Sequence, residues 1–346
     1  MESERILGQN HILRHFENAI RMGKISHAYI INGEEGSGKL NLAIHFAKAL
    51  QCERNNSNKA INEDGERITV PGTACGQCKS CKQTDSKNQP DIKYITYEKS
   101  GIGVDEIREQ INDDIDIKPY SSPYKIYIVP ESEKMTVQAQ NALLKTIEEP
   151  PEYAIIILLT TNADTFLQTI LSRCVMLNIR PVKEDIIKNQ LTSQYGVGDY
   201  EARVAATFSN GNPGKAIKLA TSEEFKELKQ YVVGMFMSLE KGGMDIIGEA
   251  IKKTGTFKKQ IDEYFSLMRI WFRDILVYKA TKEEDQIIFQ DEYMTIEKMS
   301  QTYSFDDIND ILKAIDLAES RIKSNVNFDS TIEILLLSIK EKTSVK

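Results

Sequence analysis

Residues 33–40 of this chain are Gly33-Glu34-Glu35-Gly36-Ser37-Gly38-Lys39-Leu40. The stretch matches the phosphate-binding loop pattern G-x-x-x-x-G-K-[ST] at every position except the last. Residues 28–32 before it predict a short buried strand, and apolar residues after it recur at helical spacing. A glycine-rich turn between strand and helix directs backbone N–H groups and the positive helix end toward phosphate oxygens. The stretch therefore predicts an α/β domain with a phosphate cradle.

The magnesium ligands that such a loop uses are missing. Leu40 stands where a hydroxyl group would bind Mg²⁺, and a leucine side chain has no lone pair to offer. Residues 125–129 predict a second strand, after which a phosphate-loop enzyme carries an Asp that binds the same ion. Here the chain continues with Pro130 and Glu131. The two losses predict a loop that keeps its cradle, with Lys39 to reach the phosphates, but hydrolyses no ATP.

A further apolar run, residues 154–159, predicts a strand that is covered on both faces. Thr161 and Asn162 follow it, and ligands bind at the carboxyl ends of strands in open α/β sheets. The sequence leaves open whether the degenerate loop still binds nucleotide. The candidate nucleotide-binding residues are Gly33, Gly36, Gly38, Lys39, Thr161 and Asn162.

Four of the five cysteines follow the predicted loop helix, at the spacing C-x22-C-x2-C-x2-C. Two consecutive C-x2-C steps present three thiolates from one tight turn, and a fourth thiolate can complete a tetrahedron around Zn²⁺. Four protein ligands leave no open position, so the predicted zinc site is structural. The polar segment 53–73 predicts a flexible surface insertion. The predicted zinc ligands are Cys52, Cys75, Cys78 and Cys81.

Length and composition place limits on the rest of the chain. A chain of 346 residues is long enough for two or three domains. The net charge of −7 argues against a broad nucleic-acid-binding surface. No apolar run approaches the roughly 20 residues that span a membrane. The acidic first residues lack the apolar segment of a signal peptide, which favours a cytoplasmic location where cysteines stay reduced.

The pattern changes at Arg180-Pro181-Val182, where we predict a domain boundary. Residues 183–222 predict three short helices, the last of which begins after a turn at residues 211–214. From about residue 223 the chain predicts helices to its end, with apolar stripes that form a core. The sequence therefore predicts domains at 1–180, 181–222 and 223–346.

Several motifs resemble, in their order, those of bacterial clamp-loader subunits, the AAA+ proteins of the DNA polymerase III holoenzyme. The resemblance covers roughly residues 5–220, and residues 324–327 before the leucine-rich last helix resemble the collar of the same family. Beside the loop and the four cysteines, the motifs are Leu7-Gly8-Gln9, His27-Ala28-Tyr29, Asn141-Ala142-Leu143-Leu144-Lys145, Glu148-Glu149-Pro150-Pro151, Thr160-Thr161-Asn162 and Ile170-Leu171-Ser172-Arg173-Cys174.

The resemblance implies an architecture for each predicted domain. Residues 1–180 would form a RecA-like α/β AAA+ domain with a zinc-binding insertion at 52–81. Residues 181–222 would form a small helical lid domain, and residues 223–346 an all-α collar that oligomerises.

Three departures resemble the delta-prime branch of this family, whose members do not hydrolyse ATP. An active motor needs the hydroxyl, the carboxylate and a sensor arginine, and this chain has Leu40, Pro130 and Gly214 instead. The resemblance implies a stator in a hetero-pentamer with gamma/tau and delta subunits, which together load the sliding clamp on primed DNA. It also implies that Arg173 acts in trans on the ATP of a neighbouring subunit. We expect Arg173 at the domain edge, near the ligand-binding end.

Three alternatives stay open at this point. Arg173 could form a structural ion pair with a carboxylate of its own domain. The chain could be an active ATPase that recruits Mg²⁺ through Glu131 or another group. It could also be a zinc-containing DNA-binding module, although its net charge of −7 weighs against that class.

Overall fold

A computed structural model describes residues 6–56, 71–98, 101–241 and 245–344. The chain forms two compact units. The first contains Met1–Ile186 and Gly211–Lys215, and the second contains Ile187–Asn210 and Ala216–Lys346. Most of the predicted flexible insertion, residues 57–70, lies outside the described residues.

The first unit is built on a parallel sheet of five strands in the order β2-β3-β4-β1-β5. The register pairs Ala28 of β1 with Ile156 of β4 and Tyr29 with Val175 of β5. Both faces of the central strands are buried, as their continuous apolar runs predict. The strands are β1 Ala28–Asn32, β2 Ile92–Tyr94, β3 Lys125–Val129, β4 Ala154–Thr160 and β5 Val175–Asn178.

Helices cover both faces of this sheet. On one face Phe16 and Phe46 stack with ring centroids 4.0 Å apart, and Tyr29 of β1 packs edge-on against both rings. On the other face Ile30 of β1 shares a core with Leu143. The helices are α1 Asn10–Met22, α2 Lys39–Gln51, α3 Glu53–Asn56, α4 Lys79–Asp85, α5 Val104–Ile107, α6 Asp113–Ile115, α7 Val137–Glu148 and α8 Gln168–Leu171; a π-helical turn, Arg108–Asn112, joins α5 to α6.

Residues 91–97 alternate polar and apolar side chains, which is typical of a strand, but strand β2 covers only Ile92–Tyr94 of them. The Asp91 carboxylate accepts hydrogen bonds from the backbone N–H groups of Tyr120 at 2.5 Å and Ser121 at 2.9 Å. The Asp91 side chain is therefore engaged in holding a neighbouring loop, while its backbone carbonyl oxygen still accepts a hydrogen bond from the N–H of Ile126 in β3 at 2.8 Å. Polar–apolar alternation alone does not show this use of the carboxylate.

The second unit is all-helical, and α14 (Ile261–Thr281) supplies much of its core. Tyr264, Phe265 and Phe272 of its predicted apolar stripe are fully buried, and so is Trp271 of the same helix. The buried carboxylate of Asp274 accepts hydrogen bonds from the backbone of residues 288 and 289 at 2.7 and 2.8 Å.

The helices from residue 184 onward are α9 Glu184–Tyr195, α10 Asp199–Phe208, α11 Pro213–Thr221, α12 Glu223–Lys241, α13 Asp245–Thr256, α14 Ile261–Thr281, α15 Tyr293–Thr302, α16 Phe305–Lys323 and α17 Phe328–Ser344. The three helices predicted in 183–222 are thus present as α9, α10 and α11. Most of their residues belong to the same unit as the C-terminal helices, so the division into domains 1–180, 181–222 and 223–346 stays a prediction. Among the helices described, none combines the length and apolar character that membrane crossing requires.

Candidate nucleotide site and cysteine cluster

The candidate nucleotide loop joins the carboxyl end of β1 to the first turn of α2. Strand β1 lies between β4 and β5, where connections leave in opposite directions and open α/β sheets form their ligand crevice. Gly36 and Gly38 have φ angles of +79° and +91°, which favour glycine over other residues. The predicted strand, turn and helix are therefore present in the arrangement that a phosphate cradle uses.

Lys39 is directed into its own loop. Its Nζ donates hydrogen bonds to the carbonyl oxygens of Gly33 at 2.6 Å and Glu34 at 2.9 Å. Burial lowers the pKa of Lys39, and nearby carboxylates, that of Glu133 first, act in the opposite direction. The ammonium group that would meet β and γ phosphates is thus engaged with backbone oxygens and surrounded by negative charge.

Neither magnesium-ligand position carries an oxygen-bearing side chain. The Leu40 side chain is 41% exposed, and Pro130 directly follows β3. The adjacent carboxylate of Glu131 accepts hydrogen bonds from Tyr97 Oη and from Lys134 Nζ, the latter at 2.9 Å. These two bonds, the one from Lys134 first, lower the pKa of Glu131. Glu131 is therefore held by neighbouring side chains.

Thr161 and Asn162 lie at the carboxyl end of β4, as predicted, but both have partners within the chain. Thr161 Oγ1 donates to Glu133 Oε1 at 2.8 Å. Asn162 Oδ1 accepts from the backbone N–H of Asp164 at 3.0 Å and so begins a short 3-10 turn. The side chains of Thr161 and Asn162, which were predicted to contact nucleotide at this end of the sheet, are thus hydrogen-bonded to protein atoms.

The four predicted zinc ligands converge. The Sγ atoms of Cys52, Cys75, Cys78 and Cys81 all lie within 4.8 Å of one another, and those of Cys75 and Cys81 are 4.0 Å apart. A tetrahedral ion with Zn–S bonds of about 2.3 Å requires sulfur atoms roughly 3.8 Å apart. The cluster therefore has the ligand number and spacing of a structural zinc site.

Backbone N–H groups support this cluster. Cys75 N donates to Cys52 Sγ at 3.3 Å, and Cys78 N donates to Cys75 Sγ at 3.4 Å. Hydrogen bonds from backbone N–H groups, that of Gln77 first, lower the pKa of Cys75 to about 6. Burial raises the pKa of Cys52 and of Cys81, and a bound cation is what would offset that effect.

Cys52 reaches the other three cysteines because Asn55 joins its helix end to the segment before Cys75. Asn55 Nδ2 donates to the carbonyl oxygens of Ala49 at 2.8 Å and Thr73 at 3.1 Å. Asn55 Oδ1 accepts from the backbone N–H of Gly72 at 3.1 Å.

Arg173 lies between α8 and the edge strand β5. Its Nη2 forms an ion pair with Glu148 Oε1 at 3.0 Å, and its Nη1 donates to Thr169 O at 3.0 Å. The side chains of Arg173 and Glu148 are 41% and 44% exposed. Arg173 precedes β5, and β5 pairs in parallel with β1 from Val175 onward. It therefore lies at the amino edge of the sheet, so the expectation that it lies near the ligand-binding end is wrong.

The residues that engage the predicted site were not predicted from the sequence. Tyr97 and Lys134 hold Glu131, Glu133 holds Thr161, and Glu148 pairs with Arg173. Each is a common residue type on a regular element, and none has a spacing that marks it. Only Glu148 belonged to a motif already singled out.

Two family models match the chain. The model described as "DNA polymerase III, delta subunit" matches residues 8–183, and "DNA polymerase III, delta subunit, C terminal" matches residues 248–341. The chain is 27% identical to DNA polymerase III subunit delta' of Bacillus subtilis over 337 residues, which is 96% of each protein. It is 34% identical to subunit tau of the same organism over 221 residues, which is 62% of this chain and 36% of tau.

A solved structure is also similar. A DNA polymerase III gamma subunit-related protein of Thermotoga maritima shares 21% identity, with coverage of 96% of this chain and 99% of that chain and a TM-score of 0.42.

The first family model alone spans about half of the chain. Together with the phosphate loop on a parallel sheet and the four-cysteine cluster, the match to this family model shows that the chain belongs to the DNA polymerase III delta subunit family.

Proposed function

We propose that this chain is a delta-prime-like stator of a bacterial DNA polymerase III clamp loader. The observation that carries the proposal is a nucleotide loop that is folded but has lost both magnesium ligands, in a chain similar to delta' over nearly its whole length. The partners would be gamma/tau and delta subunits in a hetero-pentamer, working in the cytoplasm on the sliding clamp and primed DNA. The helices of 181–222 and 223–346 would act as lid and collar.

The isolated chain would not hydrolyse ATP. Phosphoryl transfer needs Mg²⁺ to bridge the β and γ phosphates and to neutralise developing charge. Leu40 and Pro130 offer no ligand for that ion, and Glu131, the carboxylate next to Pro130 in the sequence, is bound by Tyr97 and Lys134. The active-ATPase alternative would therefore need Glu131 to leave two partners before it could bind metal.

The cysteine cluster would hold one structural Zn²⁺. Four thiolates close the coordination sphere, so this ion would have no open position for catalysis. Cys52 follows α2, and the other three cysteines surround the start of α4. The ion would therefore tie the inserted segment to the helix that begins at the nucleotide loop. The role of the ion would be structural, and its binding would contribute directly to the folding free energy of this module.

Arg173 would act on a neighbouring subunit's ATP. It lies at the opposite edge of the sheet from its own loop, so its guanidinium group cannot serve that loop. Its ion pair with Glu148 is largely exposed, and such pairs contribute about 0–1 kcal/mol. Exchange of Glu148 for a phosphate is therefore inexpensive, and an arginine presents a fork of donors that suits phosphate oxygens.

The test uses a complex reconstituted with gamma/tau, delta, the sliding clamp and primed DNA. Arg173→Ala and Arg173→Lys should assemble normally but lower the stimulated ATPase and slow clamp loading. A trans-acting arginine is worth on the order of 10³–10⁵ in rate at its own site, and the complex would lose less because its other sites have their own arginines. The exposed Arg108→Ala serves as a matched control.

Three outcomes would contradict the proposal or a part of it. Wild-type clamp loading with Arg173→Ala would remove the role in trans. Failure of the Arg173 variants to fold would show that the ion pair with Glu148 is structural. Magnesium-dependent ATP turnover by the isolated chain would contradict the stator function itself.

A further inference from the structure

The tip of the nucleotide loop contacts a turn that lies far away in the sequence, Gly211–Lys215, within the same compact unit. The backbone N–H of Gly214 donates to the carbonyl oxygen of Gly36 at 3.1 Å. The side chain of Asn212 donates through Nδ2 to the carbonyl oxygen of Glu35 at 2.7 Å. We call this turn the clasp.

Both ends of the Asn212 amide are used. While Nδ2 holds the loop, Oδ1 accepts a hydrogen bond from the backbone N–H of Lys215 at 3.1 Å, in the first turn of α11. Asn212 is only 4% exposed. The same side chain therefore caps a helix through its oxygen, which fixes its orientation, and presents its NH₂ group to the loop.

Glycine is required on both sides of this contact. A Cβ atom on Gly214 would lie 2.4 Å from the carbonyl oxygen of Gly36 and 2.9 Å from its Cα. Gly36 itself has a φ of +79°, and a Cβ there would lie 3.1 Å from Asn212 Oδ1. The backbones at Gly36 and Gly214 approach more closely than a side chain on either residue permits. Close packing therefore explains why residue 214 is a glycine, in addition to the loss of a sensor arginine at this position.

Four consecutive carbonyl groups of the loop are satisfied by the chain itself. Lys39 Nζ serves residues 33 and 34, Asn212 serves residue 35, and Gly214 serves residue 36. The backbone N–H of Ser37, a donor in a phosphate cradle, donates instead to Glu34 O at 3.2 Å. An incoming phosphate accepts hydrogen bonds, so it would have to take the Ser37 N–H and Lys39 Nζ from these carbonyl oxygens, among the carboxylates that surround Lys39.

We propose that the clasp is an internal ligand of the nucleotide loop, with Asn212 and Gly214 as the residues that keep it closed to nucleotide. The proposal rests on the proposed function only in treating residues 33–40 as a nucleotide site. It goes further in stating what replaces the nucleotide. The clasp donates to carbonyl oxygens at the tip of the loop. It thereby holds the loop in the conformation in which two donors for a phosphate, the Ser37 N–H and Lys39 Nζ, are bonded to the loop's own carbonyl oxygens.

The test is amide hydrogen exchange of the full-length chain, followed by mass spectrometry of peptides that cover residues 33–40, with and without Mg-ATP. In the wild type, the Ser37 N–H, which donates to Glu34 O, should exchange slowly in these peptides, and the exchange rates of the loop should not respond to ATP. Gly214→Ala should accelerate exchange in the loop about tenfold or more, because its Cβ cannot fit against Gly36. Gly234→Ala is the control, since a Cβ there meets nothing within 4 Å.

A second variant keeps the test decisive if Gly214→Ala disturbs folding. Asn212→Asp keeps an acceptor for the Lys215 N–H but loses the donor to Glu35 O, so it should accelerate loop exchange while α11 stays capped. Unchanged loop exchange in Asn212→Asp, or a wild-type loop that becomes protected by Mg-ATP, would overturn the proposal. ATP turnover, assayed separately, would contradict the proposed function and leave the clasp to be judged by exchange alone.

Discussion

Helix α2 has a sequence motif at each end, and only one of the two motifs keeps all the ligand groups that its chemistry needs. At its start lies the phosphate loop, which has lost its metal ligands; directly after its end lies Cys52, one of four cysteines whose sulfur atoms converge within 4.8 Å. A structural metal site has no function with three ligands, so it is kept whole or lost. A nucleotide loop can lose its chemistry and still connect a strand to a helix, provided that its polar groups find new partners.

The difference is visible in where the hydrogen bonds go. At the cysteine end, the backbone N–H groups of Cys75 and Cys78 point at sulfur atoms and favour thiolates. At the loop end, Lys39 and the Ser37 N–H point at carbonyl oxygens of the loop itself. One end is arranged to receive a cation, whereas the other has used the donors that would receive an anion.

The largest expected effect comes from breaking the cysteine end. Cys81→Ser replaces a fully buried ligand and should abolish stoichiometric zinc binding. We expect the first unit to lose about 3–5 kcal/mol of unfolding free energy, comparable to removal of a covalent staple. Metal analysis and thermal unfolding with and without a chelator measure this. Cys174→Ser, outside the cluster, should leave the zinc content at one per chain; metal-free wild-type protein of unchanged stability would contradict the prediction.

A smaller effect should follow from loosening α2 from the cysteine module. Lys48 Nζ contacts both carboxylate oxygens of Asp85 on α4, at 2.5 and 2.7 Å, and the side chains are 13% and 51% exposed. Because Asp85 is half exposed, Lys48→Met should cost only about 0.5–1 kcal/mol, and the loss should shrink at high salt. Unfolding of Lys48→Met and Asp85→Asn at two salt concentrations tests this. A salt-independent loss would mean that the pair acts through packing.

Local sequence patterns predicted the framework of the first unit because each pattern has a local cause. Mostly apolar runs predicted the bounds of β1 and β3, since a strand buried on both faces is mainly apolar; the exceptions are Asn32 at the end of β1 and the buried Lys125 at the start of β3. The C-x2-C steps predicted the cysteine cluster, because three of its ligands lie on one tight turn. The alternating pattern of residues 91–97 did not give the bounds of β2, which is only Ile92–Tyr94.

The state of the nucleotide site could be predicted only as a set of losses. Leu40, Pro130 and Gly214 each show what is missing, but their sequence contexts do not show what replaces it. The replacement is made by contacts between distant residues: Asn212 lies 177 positions from Glu35. The turn at residues 211–214 was visible in the sequence, but its partner depends on how the sheet brings the chain together.

The smallest expected effect concerns repair of the loop end. Leu40→Thr combined with Pro130→Asp restores both groups that bind Mg²⁺ in phosphate-loop enzymes. If the missing ligands were the whole difference between the two ends of α2, this double variant would gain magnesium-dependent ATPase activity. We expect turnover to stay at background, because Lys39 is still bonded to its own loop and Gly214 still holds Gly36. A coupled phosphate-release assay on the isolated chain, with Leu40→Val as the control, measures this. Turnover that is lost again on Lys39→Ala would show that the loop can still act as a nucleotide site once its magnesium ligands are restored. Background rates would show that its internal hydrogen bonds, as much as its missing ligands, keep it inactive.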